Sequence, residues 1–222
     1  MKISIIIPTF NEVDNIEETL LPLQAWRQQG HEIILADGGS HDETIALAEP
    51  LVDQVVNSPK GRANQMNCGA KNTNGDVLLF LHADTRLPHN SPRLIRHALQ
   101  QKQWGRFDVA LTGQHRMFRV IEFMMNQRSR LTGIATGDQA IFVTRALFEK
   151  INGFAKIPLM EDIEFSKRLK KNGQPACVHN KLTTSSRRWE EYGIFKTILL
   201  MWRLRLAYFF GAKPEQLKKS YR

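Results

Sequence analysis

Four apolar runs of strand length alternate with helical patterns in the first half of the chain, and a polar stretch follows each run. The runs are "ISIII" (Ile3–Ile7), "EIILA" (Glu32–Ala36), "VDQVV" (Val52–Val56) and "DVLLFL" (Asp76–Leu81). A continuous β-branched or apolar run suits a strand buried on both faces. Helical patterns fill the gaps: from about Glu12, with Ile16, Leu20 and Leu23 on one face and Asn11 as a candidate N-cap; from Asp42 to about Glu49; and around Met66 to Lys71. Repeated strand–helix units require right-handed crossovers, a mainly parallel sheet and helices on both faces.

Such sheets bind ligands beyond the carboxyl ends of their strands. The residues there are Thr9 to Glu12, Asp37-Gly38-Gly39, Lys60-Gly61-Arg62 and His82-Ala83-Asp84. Further on, "FDVALT" and "QAIFV" read as strands. "MFRVIEFMMNQRSRL" reads as a helix with Met117, Ile121, Met124 and Met125 on its core face. "MEDIEFSKRLKKNG" reads as a helix opened by Glu161, Asp162 and Glu164, closed by Lys167 to Lys171 and stopped by Gly173. No linker-like stretch divides the 222 residues. They are expected to form one domain: a nucleotide-binding half (1–110), an acceptor and catalytic half (111–190), and a basic amphipathic helix and tail (193–222).

Several chemistries are excluded by what is missing. The turn after the first strand, "PTFNE", has no glycine, against NAD or FAD binding and against a sugar-phosphate nucleotidyltransferase, which needs a glycine- and arginine-rich loop there. There is no P-loop and no GxSxG elbow. Cys68 and Cys177 form neither a disulfide framework nor a zinc site, and they fit a reducing cytoplasm. "MKISIIIPTFNE" is too short in its apolar run for a signal peptide.

The net charge of +9 favours anionic partners. No nucleic-acid motif accompanies it, so a non-catalytic basic binder of nucleic acid or anionic membrane is the competing reading. "ILLMWRLRLAYFFG" (Ile198–Gly211) is too short and too charged to span a bilayer. It is expected to be a helix packed on the domain, or alternatively an interfacial helix with Trp202, Tyr208 and Phe209 dipping into the inner face of a membrane.

Taken singly, the polar residues have plain structural explanations. Asp37 can make a turn, Lys60 and Arg62 can be solvated, Glu161 and Asp162 can complement a helix dipole, and Asp84 can cap a turn. Jointly, their order resembles family 2 glycosyltransferases of the GT-A type. The resemblance rests on "SIIIPTFNE", "LADGGSHDET", "GDVLLFLHADTRLP", "GDQAIFVTRALFEKINGF", "MEDIEFSKRLKKNG" and "SSRRW", covering Ile3 to Trp189. It is nearest to compact bacterial members carrying "GRANQMN" and "HAD".

The resemblance implies an inverting, metal-dependent transferase acting on a UDP- or GDP-type nucleotide sugar and an acceptor it does not identify. It implies that Pro8, Thr9, Glu12, Asp37, Lys60, Arg62 and Ala83 line the nucleotide site. Asp84 binds Mg²⁺ or Mn²⁺, Asp162 is the base, and Glu161, Arg188 and Trp189 lie near the diphosphate and acceptor. Asp138 and Gln139 of "TGDQ" face the donor sugar or acceptor, or simply make a turn. Two positions depart from the family pattern: His82 replaces the first acid of DxD, and Ser185 replaces the glutamine of QxxRW.

Overall fold

The two most apolar runs lie side by side at the centre of the sheet. The computed structural model describes residues 1–221. Its strands are β1 (Ile3–Thr9), β2 (Glu32–Asp37), β3 (Gln54–Asn57), β4 (Val77–Phe80), β5 (Thr85–Arg86), β6 (Trp104–Leu111), β7 (Phe142–Thr144) and β8 (Ala176–Thr184), in the order β3-β2-β1-β4-β7-β6-β8-β5. The helices are α1 (Ile16–Leu20), α2 (Gln24–Gln28), α3 (Thr44–Ala48), α4 (Arg62–Lys71), α5 (Ser91–Ala98), α6 (Arg116–Thr132), α7 (Arg145–Lys150), α8 (Glu161–Lys170), α9 (Arg187–Tyr192), α10 (Ile194–Phe209) and α11 (Pro214–Ser220).

The period of two along a strand explains why β1 and β4 are apolar throughout. Ile3, Ile5, Ile7, Val77, Leu79 and Leu81 face one core, with Ile16, Leu20 and Ile95. Ile6, Leu78 and Phe80 face the other, where Phe148, Phe154 and Phe165 gather. Both faces of these strands are therefore dry, and their polar chemistry is pushed to their ends.

The expected parallel arrangement holds for β1 with β2 and β4, for β2 with β3, and for β6 with β8. It fails at β7, a three-residue strand antiparallel to both β4 and β6, and at β5, antiparallel to β8. The sheet is mostly parallel, with β7 as the seam between its two parts.

Three local readings are corrected. Asn11 does not cap a helix: it sits at φ 54, its side chain accepts from the His41 amide, and the first helix begins only at Ile16. The third helix of the alternation begins at Arg62 rather than near Met66, so its first turn faces the strand ends. On α6, Met124 is exposed along with Val120 and Phe123, while Phe118, Ile121 and Asn126 face inward.

One buried ionic cluster sits where β6 and β8 change register, between Phe107 and Asp108. Arg106 is fully buried and pairs with Asp108, which also takes Arg130. Removing the acid from such a pair strands a buried charge. Asp108→Ala is therefore expected to cost about 3 kcal/mol or more, read from the urea midpoint. The paired change Arg106→Met with Asp108→Leu is expected to recover most of it.

Candidate active site

The carboxyl end of β4, the amino end of α8, the 3₁₀ turn Gly137–Gln139 and the segment after β8 converge on one cleft of about 200 Å³. Its walls include Arg62, His82, Asp84, Thr136, Gly137, Asp138, Glu161, Asp162, Ser185, Arg188 and Trp189. Residues 62, 84, 162 and 188 of the sequence, taken from four separate stretches, thus face one another.

The turn before α8 sets the two acids. Met160 takes a left-handed backbone (φ 67), uncommon for a side-chain-bearing residue, and turns the chain so that Glu161 and Asp162 start the helix facing the cleft. The Asp162 carboxylate is held by two backbone amides. Gly137 N donates to Oδ2 at 2.9 Å and Ile163 N donates to Oδ1 at 2.7 Å. Glu161 is buried, and that burial, then repulsion from Asp162, pushes its carboxyl up to about 7, against the pull of Arg62.

A carboxyl raised from its ordinary 4.5 favours the protonated form in the fold, so its contribution to stability is lost as pH rises from about 4.5 through 7. Glu161→Gln cannot ionise. Its stability relative to the unchanged protein, read from urea midpoints, is expected to rise between pH 5 and pH 8 by an amount on the order of 2 kcal/mol. A difference independent of pH would remove Glu161 as the source.

His82 packs edge-on to the 3₁₀ turn. A Cβ on Gly137 would come within 2.5 Å of its Nε2, so glycine is required there. Burial, reinforced by Arg62, lowers His82 to about 3 and keeps the ring neutral. It is a shaping group and carries no charge. Asp84 receives only the Thr85 hydroxyl, at 3.3 Å. Burial raises its carboxyl, while Arg62 and Arg187 pull the other way. Arg62 at the start of α4 faces these acids. Enclosure works against its charge, but Glu161, Asp162 and Asp84 outweigh that and hold it above its ordinary range.

After β8 the chain is tied by hydroxyls: Ser186 N donates to Thr112 Oγ1 at 3.1 Å and Ser186 Oγ donates to Glu190 at 2.9 Å. This anchor sets the start of α9, and with it Arg187 and Arg188, beside the strand ends. Arg188 enters the cleft, donates to the Tyr221 carbonyl at 3.2 Å and lies 3.9 Å from the centre of its ring. Trp189 lines the cleft and packs against Phe118 and Ile121.

The N-terminal residues form an adjoining wall beyond β1, β2 and β3. Asp37 is buried, and its carboxylate accepts from Gly39 N (2.7 Å), Ser40 N (2.9 Å) and Ser40 Oγ (2.5 Å), so the turn reading is realised. Lys60 lies 3.3 Å over the Phe10 ring. Glu12 N donates to Thr44 Oγ1, and burial raises the Glu12 carboxyl, with Asp84 adding to it. Thr9 is buried with a partnerless hydroxyl, beside half-buried Pro8.

Two expected site residues turn away. The Ala83 side chain sits in the core, with its carbonyl held by Thr19 Oγ1 at 2.6 Å. Gln139 is wholly buried, closing a capping box with Thr136, while its neighbour Asp138 does reach the cleft. Tyr221, Arg205, Thr197 and Met201 also line the cleft and were not expected. They come from the C-terminal helices, and the only sequence signal was the arginines set in the apolar run 198–211. Arg187, adjacent to Arg188 in "SSRRW", also acts on the site, its charge drawing on Asp84 and Glu12.

The model of the family described as glycosyl transferase family 2 matches residues 4–151. A Mycobacterium tuberculosis protein named an uncharacterized glycosyltransferase is 31% identical over 166 residues, 68% of this chain and 62% of that protein. The chain therefore spans less than two thirds of that relative's length. Residues 1–349 of TarS from S. aureus, solved in complex with UDP-GlcNAc, superpose with a TM-score of 0.67 at 18% identity over 84% of this chain and 59% of that one. The mannosyltransferase PcManGT from Pyrobaculum calidifontis, solved with GDP-Man and Mn²⁺, superposes at 0.64 with 18% identity, over 99% and 68%. At these identities the likeness is one of fold.

Proposed function

The chain belongs to glycosyl transferase family 2, and we propose that it moves a sugar from a nucleoside diphosphate donor of the UDP or GDP type to an acceptor hydroxyl, with inversion at C1. The observation that carries this is the meeting of Asp162, Asp84, Arg62 and Arg188 in one cleft beyond the strand ends. Each answers a demand of the reaction. A diphosphate leaves poorly until its growing charge is met, and Arg62 and Arg188 hold positive charge where that group would depart. The acceptor oxygen needs a base, and Asp162 is fixed by two amides with lone pairs left over. Attack from the face opposite the diphosphate inverts C1.

The metal follows from the character of Asp84. Its carboxylate is half-buried with a single hydroxyl partner, which leaves most of its lone pairs free for a hard cation. Among the described residues no cluster of three or more His, Cys, Asp or Glu could hold a metal alone. That fits Mg²⁺ or Mn²⁺, which bind through one or two carboxylates with substrate phosphates and water completing the shell. When bound, such a cation would supply charge neutralisation at the diphosphate. Such hard cations prefer carboxylate oxygen to imidazole nitrogen, so Asp84 rather than His82 would be the holding residue.

The nucleotide base would lie on the wall made by Pro8, Thr9, Glu12, Asp37 and Lys60. Asp37 keeps lone pairs for it after its own turn. Thermal-shift screening of UDP- and GDP-sugars with and without Mn²⁺ tests the proposal. A ligand at a hundred times its Kd stabilises by about 2.7 kcal/mol, worth about 5 °C or more in a chain of this size. We expect one nucleotide series to reach that, and Mn²⁺ to enlarge it. No shift with any nucleotide sugar, together with salt-sensitive binding to RNA or DNA, would favour the basic-binder reading instead.

A further inference from the structure

Among the described residues thirteen large hydrophobic side chains are exposed, and all but Met1 and Leu21 lie between Val120 and Phe210. They belong to α6 and to α9 with α10 and its end. Ile194 and Ile198 of α10 pack on the cluster of Leu111, Phe118 and Ile121. Along α10 runs an open groove of about 970 Å³ whose apolar wall is built by Leu199, Leu200, Trp202, Leu206 and Phe209, and to which α6 contributes Arg128. Arg128, Lys196, Arg203 and Arg205 also line it, and no acid does.

Arg205 belongs to two cavities at once, this groove and the catalytic cleft. Beside it, Arg128 has a buried Nε with no partner and only a 3.5 Å contact from Nη2 to Thr136 Oγ1. Neither arginine has an ion-pair partner among the described residues, although Asp138 and Asp162 lie near enough to favour the charge of Arg128. Burial, then repulsion from Arg205, pushes Arg128 down to about 10. Two neighbouring, partnerless guanidinium groups at the mouth of a reaction cleft call for an anion.

We infer that the acceptor is a membrane lipid with a phosphate in its head group, the phosphate held by Arg128 and Arg205 and the chain lying along Leu199, Trp202, Leu206 and Phe209. This rests on the cleft being a transferase site. The charge pattern selects a lipid over a second copy of the chain. A symmetric dimer through this face would set the patch, with its unpaired cations, against itself, whereas a phosphate-bearing lipid neutralises them. The reaction is otherwise unchanged: a head-group hydroxyl oxygen bonds to C1, the bond from C1 to the diphosphate breaks, and Asp162 takes the hydroxyl proton.

Dioctanoyl phosphatidic acid, dioctanoylglycerol and glycerol phosphate separate head from tail as probes of the full chain. Thermal shift is read with each, and with UDP- or GDP-sugar plus Mn²⁺ as the control. Only the first probe is expected to shift the protein. Arg128→Gln, at the groove residue that does not line the cleft, is expected to weaken that response roughly tenfold or more while keeping the nucleotide shift. Trp202→Ser with Phe209→Ser is expected to reduce partition into phosphatidylcholine–phosphatidylglycerol vesicles by a similar factor. Equal shifts with glycerol phosphate would mean a free phosphate acceptor, and equal shifts with dioctanoylglycerol would remove the arginines; either overturns the lipid phosphate. A nucleotide shift with no amphiphile shift, or self-association in place of vesicle binding, sinks this inference and leaves the transferase standing. An amphiphile shift with no nucleotide shift sinks both.

Discussion

Asp162→Asn is expected to lower turnover by roughly two to four orders of magnitude while donor affinity stays within a few-fold. The size follows from the role of a general base. The asparagine keeps shape and one acceptor oxygen but cannot take the acceptor's proton. The geometry also predicts a side effect. Both carboxylate oxygens of Asp162 accept backbone N–H groups, from Gly137 and Ile163; asparagine keeps one acceptor oxygen and sets its NH₂, a donor, against the other N–H, so the 3₁₀ turn should loosen slightly. A second consequence separates the two neighbouring acids. Asp162 is, after burial, what raises Glu161, so in the variant Glu161 should titrate below 7, measurable by the pH dependence of its carboxyl infrared band. Glu161→Gln, by contrast, should keep transfer within about tenfold, because it removes no base. Turnover near the original level in Asp162→Asn, with loss in Glu161→Gln, would exchange their assignments.

The parts of this site that were legible in the sequence are those delivered by a strand end or a helix start. "DVLLFL" had to be buried on both faces, so the polar residues behind it had to emerge at an edge, and His82 and Asp84 do. "MED" before an amphipathic helix placed Glu161 and Asp162 at its first turn in the same way. What escaped depended on contacts remote along the chain. Ala83 lies in the turn after β4 with its side chain in the core, and its carbonyl is held by Thr19, a contact remote along the chain. Gln139 admits both a ligand and a turn reading in the sequence, and its side chain closes the turn with Thr136. Tyr221 and Arg205 reach the cleft through the packing of α10 and α11 around Leu204 and Leu217, which no local pattern encodes. The apolar run 198–211 permitted two readings, a packed helix and an interfacial one. Leu204 and Tyr208 pack on the protein, as the packed-helix reading expects, while Trp202 and Phe209 are exposed. Among the described residues no helix is long and apolar enough to cross a membrane.

Chelation is expected to stop transfer, with Mg²⁺ or Mn²⁺ restoring it, and Asp84→Asn should make that loss permanent at about a thousandfold, the equivalent of several kcal/mol of charge stabilisation at the diphosphate. The variant tests the assignment because its two readouts should move in opposite directions. Without metal, burial already disfavours the Asp84 carboxylate, so a neutral amide of the same shape should leave the melting temperature unchanged or slightly higher. With nucleotide and Mn²⁺, the parent gains a further thermal shift and the variant should gain only the nucleotide's own part. A variant that loses activity by unfolding would instead melt lower in both conditions, and Thr85, the hydroxyl partner of Asp84, would then be the structural reason. Glu12 supplies the remaining alternative, since it is raised by burial and lies close enough to Asp84 for the two to repel. If Glu12→Gln abolishes the Mn²⁺ shift while Asp84→Asn keeps it, the cation is held by the loop after β1, and the departure at His82 reflects a displaced site. His82, pressed against Gly137, fills the place where the family pattern has a second acid, and a hard cation's preference for oxygen over imidazole nitrogen leaves Asp84 as the ligand there.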